Sequence, residues 1–225
     1  MVAEMTNNNM ESKPGEQPNG VYTILTKIQF DHWVIIGAAP ICSLMSHSHS
    51  DHHPELCSVY HDPIIASTRQ VEQGRVHTIN LPVASDSYQK YGGMYFWNLD
   101  KIRIKAQAQL KLKKFHTDWW YITDGDVGVL FIGDLDLQEI PVIEETVNYI
   151  MKVAQRPLNA VLLPSYGGIK GTHGVLVDAD PQLLSREVAK LVKKLKEKGL
   201  RVGGLPHPIR APWSDFDFQR LHQKT

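Results

Sequence analysis

Ser46-His47-Ser48-His49-Ser50-Asp51-His52-His53 places four imidazoles and a carboxylate in eight residues. Histidines this close repel one another when charged and make poor core residues when neutral. A bound metal removes both difficulties, because neutral imidazole and carboxylate are the donors that a zinc-type ion prefers. The short apolar run Ile41-Cys42-Ser43-Leu44-Met45 precedes the cluster. A strand that delivers the cluster into the loop beyond its C-terminal end fits the placement of sites in α/β sheets. Residues at alternate positions of an extended segment point the same way, so His47 and His49 can share one ion. Asp51 and His52 then lie where the chain turns toward a second.

Further ligands for such a site are sought at other strand ends. His116 follows Gln107–Phe115, which alternates polar and apolar and reads as a strand. Asp134 follows Gly133 at the end of Val127–Ile132, where the glycine lets the chain turn sharply. His207 stands between Pro206 and Pro208, which stiffen its loop after the strand Leu200–Leu205. Asp136, His77 and His173 are the rivals for these three positions.

Outward from the cluster, the chain divides by period. Val21–Ile28, Trp33–Ile36, Pro63–Ser67, Arg75–Val83 and Lys101–Ala106 read as strands, with a short helix from Pro54. Trp119–Ile122 and Val127–Ile132 form a hairpin about Thr123-Asp124-Gly125-Asp126. A helix begins near Pro141, and Val142, Ile143, Val147 and Ile150 recur at helical spacing. Asn159–Leu163 is an apolar strand. Asp180-Pro181 starts a second helix, which Gly199 ends. The strand-rich first half and alternating second half predict an α/β fold.

The 225 residues suit one domain, residues 21–225, behind a polar and disordered tail, residues 1–20. Lys+Arg and Asp+Glu balance at 24 each, so no overall field draws nucleic acid or an anionic membrane. Lys193, Lys194, Lys196 and Lys198 read as the solvated side of the second helix. Two cysteines, Cys42 and Cys57, cannot build a disulfide framework and read as buried thiols. The N-terminus lacks a signal-peptide h-region and the apolar runs are too short to span a bilayer, so a cytoplasmic location is expected.

In order and type, the motif His47-Ser48-His49-Ser50-Asp51-His52, then His116, Gly133-Asp134 and His207, closely resembles the metallo-β-lactamase superfamily. Within it, the chain looks nearest the ascorbate-6-phosphate lactonase-like group. The resemblance implies a four-layer αββα sandwich with a dinuclear metal site at its edge. It assigns His47, His49 and His116 to one metal and Asp51, His52 and His207 to the other, with Asp134 bridging. The cofactors implied are two divalent ions, Zn2+ first, with Mn2+ or Fe2+ as alternatives. Members usually carry an acidic residue in the strand before the motif, whereas Val34–Pro40 has none. The redox di-iron branch usually replaces His49 by an acidic residue, so the pattern points to hydrolysis.

The expected activity is attack by a metal-bridging hydroxide on a carbonyl or phosphoryl centre of a small-molecule lactone, ester or phosphodiester. Asp51 is the catalytic residue that orients the nucleophile. His173, in Gly171-Thr172-His173-Gly174, contacts substrate or protonates the leaving group. The alternatives are a non-catalytic metal-binding module of the same fold and a metal-dependent nuclease. No membrane or nucleic-acid partner is expected, and a homo-oligomer is left open. Trp119-Trp120 reads as core packing rather than a substrate platform.

Overall fold

The computed structural model describes residues 20–31, 39–47, 52, 54, 61–75, 80–112, 117–135, 137–164 and 181–205. The elements in chain order are α1 Gly20–Leu25, β1 Ile28–Phe30, β2 Cys42–Leu44, β3 Ile64–Ser67, α2 Thr68–Glu72, β4 Asn80–Val83, β5 Tyr88–Tyr91 and β6 Met94–Asn98. They continue with α3 Asp100–Gln109, β7 Trp119–Thr123, β8 Gly128–Ile132, a 3-10 turn Leu137–Glu139, α4 Ile140–Asn148, a π turn Tyr149–Val153, β9 Ala160–Pro164, α5 Pro181–Glu197 and β10 Arg201–Leu205.

The strands form two sheets. The first is parallel, in the order β1-β2-β3-β4. The second runs β10-β9-β8-β7-β6-β5, parallel from β10 to β8 and antiparallel from β8 to β5. Period-2 alternation splits β7 cleanly. Trp120 and Ile122 face the first sheet and meet Phe30, Leu44, Ile65 and Val83. Trp119 and Tyr121 face outward and are covered by Val142, Ile143 and Val147 of α4 and Val188, Leu191 and Leu195 of α5. Phe30 meets Phe131 across the sheets edge to face, with centroids 5.0 Å apart. On the outer face of the first sheet, Val71 of α2 packs against Met45, Ile64 and Ala66. The layers therefore run helix, sheet, sheet, helices, the αββα arrangement expected from the sequence. Both tryptophans of the Trp119-Trp120 pair are fully buried, as core packing requires.

Three sequence expectations are corrected. Val21–Ile28 is not one strand. Val21, Ile24 and Leu25 bury one face of a helical turn, and extended chain begins only at Ile28. Lys101–Ala106 and the described part of Gln107–Phe115, residues 107–112, are not strands either. Residues 100–109 form α3, a run rich in Lys, Ala and Gln that favours helix. Its buried stripe of Asp100, Arg103, Ala106 and Gln107 is mostly polar, so the apolar residues alternate instead of marking the helical face. The third correction follows from this one. Up to residue 112 the chain before His116 is a helix and a turn, and residues 113–116 lie outside the described set. Residues 1–19, the Trp33–Ile36 strand and the helix from Pro54 also fall outside it, apart from Pro54 itself. Among the described residues no helix is long and apolar enough to cross a membrane.

Candidate metal centre

β2 and β8 end side by side, one in each sheet, and the chain beyond each end builds the centre. Met45-Ser46-His47 leaves β2, and Gly133-Asp134 leaves β8. A Cβ on Gly133 would stand 2.5 Å from both Cβ and Oγ of Ser46. The glycine is therefore needed for close approach of the two segments, rather than for the sharp turn expected of it.

His47, His52 and Asp134 are buried together, with one donor atom of each within 4.8 Å of the others. His47 Nε2 lies 3.4 Å from Asp134 Oδ2, and His52 Nε2 lies 3.2 Å from Asp134 Oδ1. The carboxylate thus offers one oxygen to each ring. The two imidazoles stand 4.1 Å apart at 36°.

The far sides of the rings are anchored by Asp31, which directly follows β1. Asp31 Oδ1 accepts from the Ser46 backbone N–H at 2.7 Å, and Oδ2 accepts from Ser46 Oγ at 2.8 Å. His52 Nδ1 lies 2.9 Å from the same Oδ2. The Ser46 hydroxyl gives its proton to Asp31, so its oxygen accepts from His47 Nδ1, 2.9 Å away. Both Nδ1 atoms therefore carry protons, and both Nε2 atoms face Asp134. This is how an outer carboxylate orients imidazoles that bind metal. Asp31 adopts φ 52°, in the left-handed region that Asp tolerates better than most residues, and backbone of this kind clusters at functional sites.

Burial works against a charged His52, but its hydrogen bonds to Asp134 and Asp31, with the charge of both, outweigh it and raise the ring to about 10. Burial alone would raise the Asp134 carboxyl. The hydrogen bonds and charge of His47 and His52 hold it well below the usual carboxylate range instead. The cluster calls for positive charge between its carboxylates. A proton on His52 supplies it in the metal-free protein, and a divalent cation can take that proton's place. Two imidazole nitrogens and a carboxylate are a donor set suited to zinc or a neighbouring transition metal, so the residues present fit the implied cofactor.

Of the residues expected at the site, His47, His52 and Asp134 are brought together. His49, Asp51, His116, His173 and His207 lie outside the described residues, as do the rivals His77 and Asp136. Asp31 was not anticipated. It stands upstream of Val34–Pro40, directly after the three-residue strand β1. The available signal was an acidic residue closing the short run Ile28-Gln29-Phe30.

No family model matches the sequence, and no curated protein matches it. Solved structures similar to the chain include CmlA, a diiron β-hydroxylase from Streptomyces venezuelae, at 13% identity and a TM-score of 0.40, covering 83% of this chain and 46% of that one. A mutant of the CmlA β-hydroxylase gives 16% identity and a TM-score of 0.41, over 75% of this chain and 37% of that one. The metallo-β-lactamase fold protein YhfI from Bacillus subtilis gives 16% and 0.33, over 56% of this chain and 50% of that one. The chain spans half or less of the length of each of these structures.

Proposed function

We propose that the chain is a metal-dependent hydrolase acting on a carbonyl or phosphoryl centre of a small molecule: a lactone, an ester or a phosphodiester. The observation that carries this reading is the convergence of His47, His52 and Asp134 at the ends of two strands from different sheets, with both Nε2 atoms turned onto one carboxylate. A buried carboxylate that faces two imidazoles with separate oxygens is suited to a site for two ions. His49, Asp51, His116 and His207 complete the ligand set in this reading, with Zn2+ as the first candidate. Bound there, divalent cations supply Lewis acidity toward water and toward the oxygen of the scissile group.

The protein's own groups do the rest. Asp31 and Ser46 keep protons on the Nδ1 atoms, so the Nε2 atoms stay available as donors. Burial of the cluster excludes bulk water and strengthens its electrostatics. Asp51 orients the attacking water, and His173 protonates the leaving group. Three lysines in and just after the lysine-rich helix α5 are engaged by neighbouring side chains, which supports a small substrate over nucleic acid. Lys194 pairs with Glu144 at 2.7 Å, Lys190 with Glu187 at 2.6 Å, and Lys198 donates to Asn148 Oδ1 at 3.2 Å.

The test is metal analysis of the purified protein, followed by a screen of the Zn2+-, Mn2+- and Fe2+-loaded forms against lactones, thioesters and phosphodiesters. Asp134→Ala serves as the blank. Turnover in the wild type and none in the blank is the expected result. Equal rates in both would remove the site from consideration. Metal binding without turnover on any substrate class would favour a binding module of the same fold.

A further inference from the structure

The two histidines of the centre hang from the first sheet and Asp134 from the second. The geometry of the site therefore depends on how the sheets are held at this one end. Most of the interface between them is apolar, and apolar contact is not directional. Near the centre it is replaced by directional bonds, and most of these meet at Asp118, the fully buried residue before β7. Its backbone N–H donates to Ser46 O at 2.8 Å, one residue from His47. Its carboxylate accepts from three residues at the start of α2 on the first sheet: Ser67 Oγ at 2.7 Å, Arg69 Nη2 at 2.9 Å and Gln70 Nε2 at 3.5 Å. One position earlier, Thr117 Oγ1 donates to Asp134 O at 3.2 Å. Trp120 Nε1 adds a bond to Met45 O at 3.0 Å.

Behind Asp118 the network runs from α2 onto α3 and the 3-10 turn of the second sheet's side. Arg69 Nη1 lies 3.6 Å from Asp100, and Arg103 lies 3.9 Å from the same carboxylate. The fully buried Arg103 pairs with Glu139 at 2.7 Å and donates to Thr117 O. The charges alternate in sign from Glu139 through Arg103, Asp100 and Arg69 to Asp118. The three central members lie on α3 and α2, well removed in sequence from the candidate ligands.

We propose that the Arg69–Asp118 pair is a positioning latch between the two sheets, which sets the separation of Asp134 from His47 and His52 and so the metal affinity of the centre. This rests on the metal reading of those three residues. An isolated strand pair could not provide it, because β2 and β8 belong to different sheets and share no ladder.

The experiment compares wild type, Arg69→Lys, and the double variant Arg69→Met/Asp118→Asn, which removes the pair without leaving the Asp118 charge unpaired and leaves Asp100 with Arg103 at 3.9 Å. Zn2+ affinity is measured by competition with a chromophoric chelator, geometry by the visible spectrum of the Co2+ form, and stability by melting of the metal-free chain. The double variant is expected to remain folded, to bind Zn2+ about 10- to 100-fold more weakly, and to show a shifted Co2+ band. Arg69→Lys recovers most of the affinity. Unchanged affinity and spectrum in the double variant overturn the proposal, and so does a lowered melting temperature with both metal readouts intact. If wild type itself takes up no Zn2+, the metal reading fails and the latch fails with it. Wild-type binding matched by the double variant defeats the latch alone.

Discussion

Asp31 Oδ2 and His52 Nδ1 lie 2.9 Å apart, joining the end of β1 to a ring 21 residues further along the chain. The same carboxylate binds Ser46 through both its oxygens. One buried acid therefore aims both described imidazoles of the centre. Asp31→Ala is expected to weaken Zn2+ binding about 10- to 100-fold, the usual effect of losing an outer-shell partner. Competition titration checks it, and an affinity within error of wild type would show that the rings are aimed by something else.

Metal binding should appear as stability. A ligand that binds only the folded state at a hundred times its dissociation constant adds about 2.7 kcal/mol. Excess Zn2+ is expected to raise the melting temperature of wild type and to leave His47→Ala/Asp134→Ala unmoved. A chelator should reverse the rise. An equal rise in both proteins would place the responsible site elsewhere.

Gly133→Ala brings a methyl group against Ser46, where a Cβ has 2.5 Å of clearance. Overpacking of this kind costs about 1–3 kcal/mol. The strain falls between the two segments that carry His47 and Asp134, so metal affinity should drop along with the denaturation midpoint. A variant as stable as wild type would mean that Ser46 can withdraw without loss.

Arg103 and Glu139 are both fully buried and bonded at 2.7 Å, and Gln107 also donates to Glu139. Arg103→Met strands the Glu139 charge and should cost about 3–5 kcal/mol. Adding Glu139→Gln should return much of that loss. Urea unfolding of the three proteins decides, and a double variant no better than the single one contradicts the coupling.

Cys42 is fully buried in β2, and burial pushes its thiol up to about 12. The thiolate is the reactive form, and a raised value keeps the thiol protonated until the pH nears that figure. Between about pH 7 and pH 9 Cys42 should resist alkylation in the native protein and react once urea unfolds it. Mass spectrometry of labelled peptides checks this, and native labelling at Cys42 would contradict its burial.

Much of the centre was legible in the sequence, because its parts carry local signatures. The density of imidazoles from His47 to His53 has no economical use in a core. Gly133-Asp134 closes an apolar strand of a hairpin whose turn residues are explicit. The Asp180-Pro181 start and Gly199 stop bracket α5 within a residue or two. Each of these rests on neighbours in the chain. Helix α3 was not legible, because Arg103 and Gln107 occupy buried positions that an apolar period is expected to mark. Their burial is tolerable only because Glu139 and Thr117 O, distant in sequence, accept their hydrogen bonds.

By itself, then, the sequence determined the α/β class, the hairpin, the last helix and the residue types gathered for metal, since periodicity, turn chemistry and donor chemistry act over a few residues. Only the tertiary structure decided that Asp31 aims the histidines, that Gly133 is required by Ser46, and that the buried charges of α2 and α3 reach the edge of the centre. Those relationships join β1 to β2 and the first sheet to the second. A hydrogen bond depends on where two groups stand in space, whatever their distance along the chain.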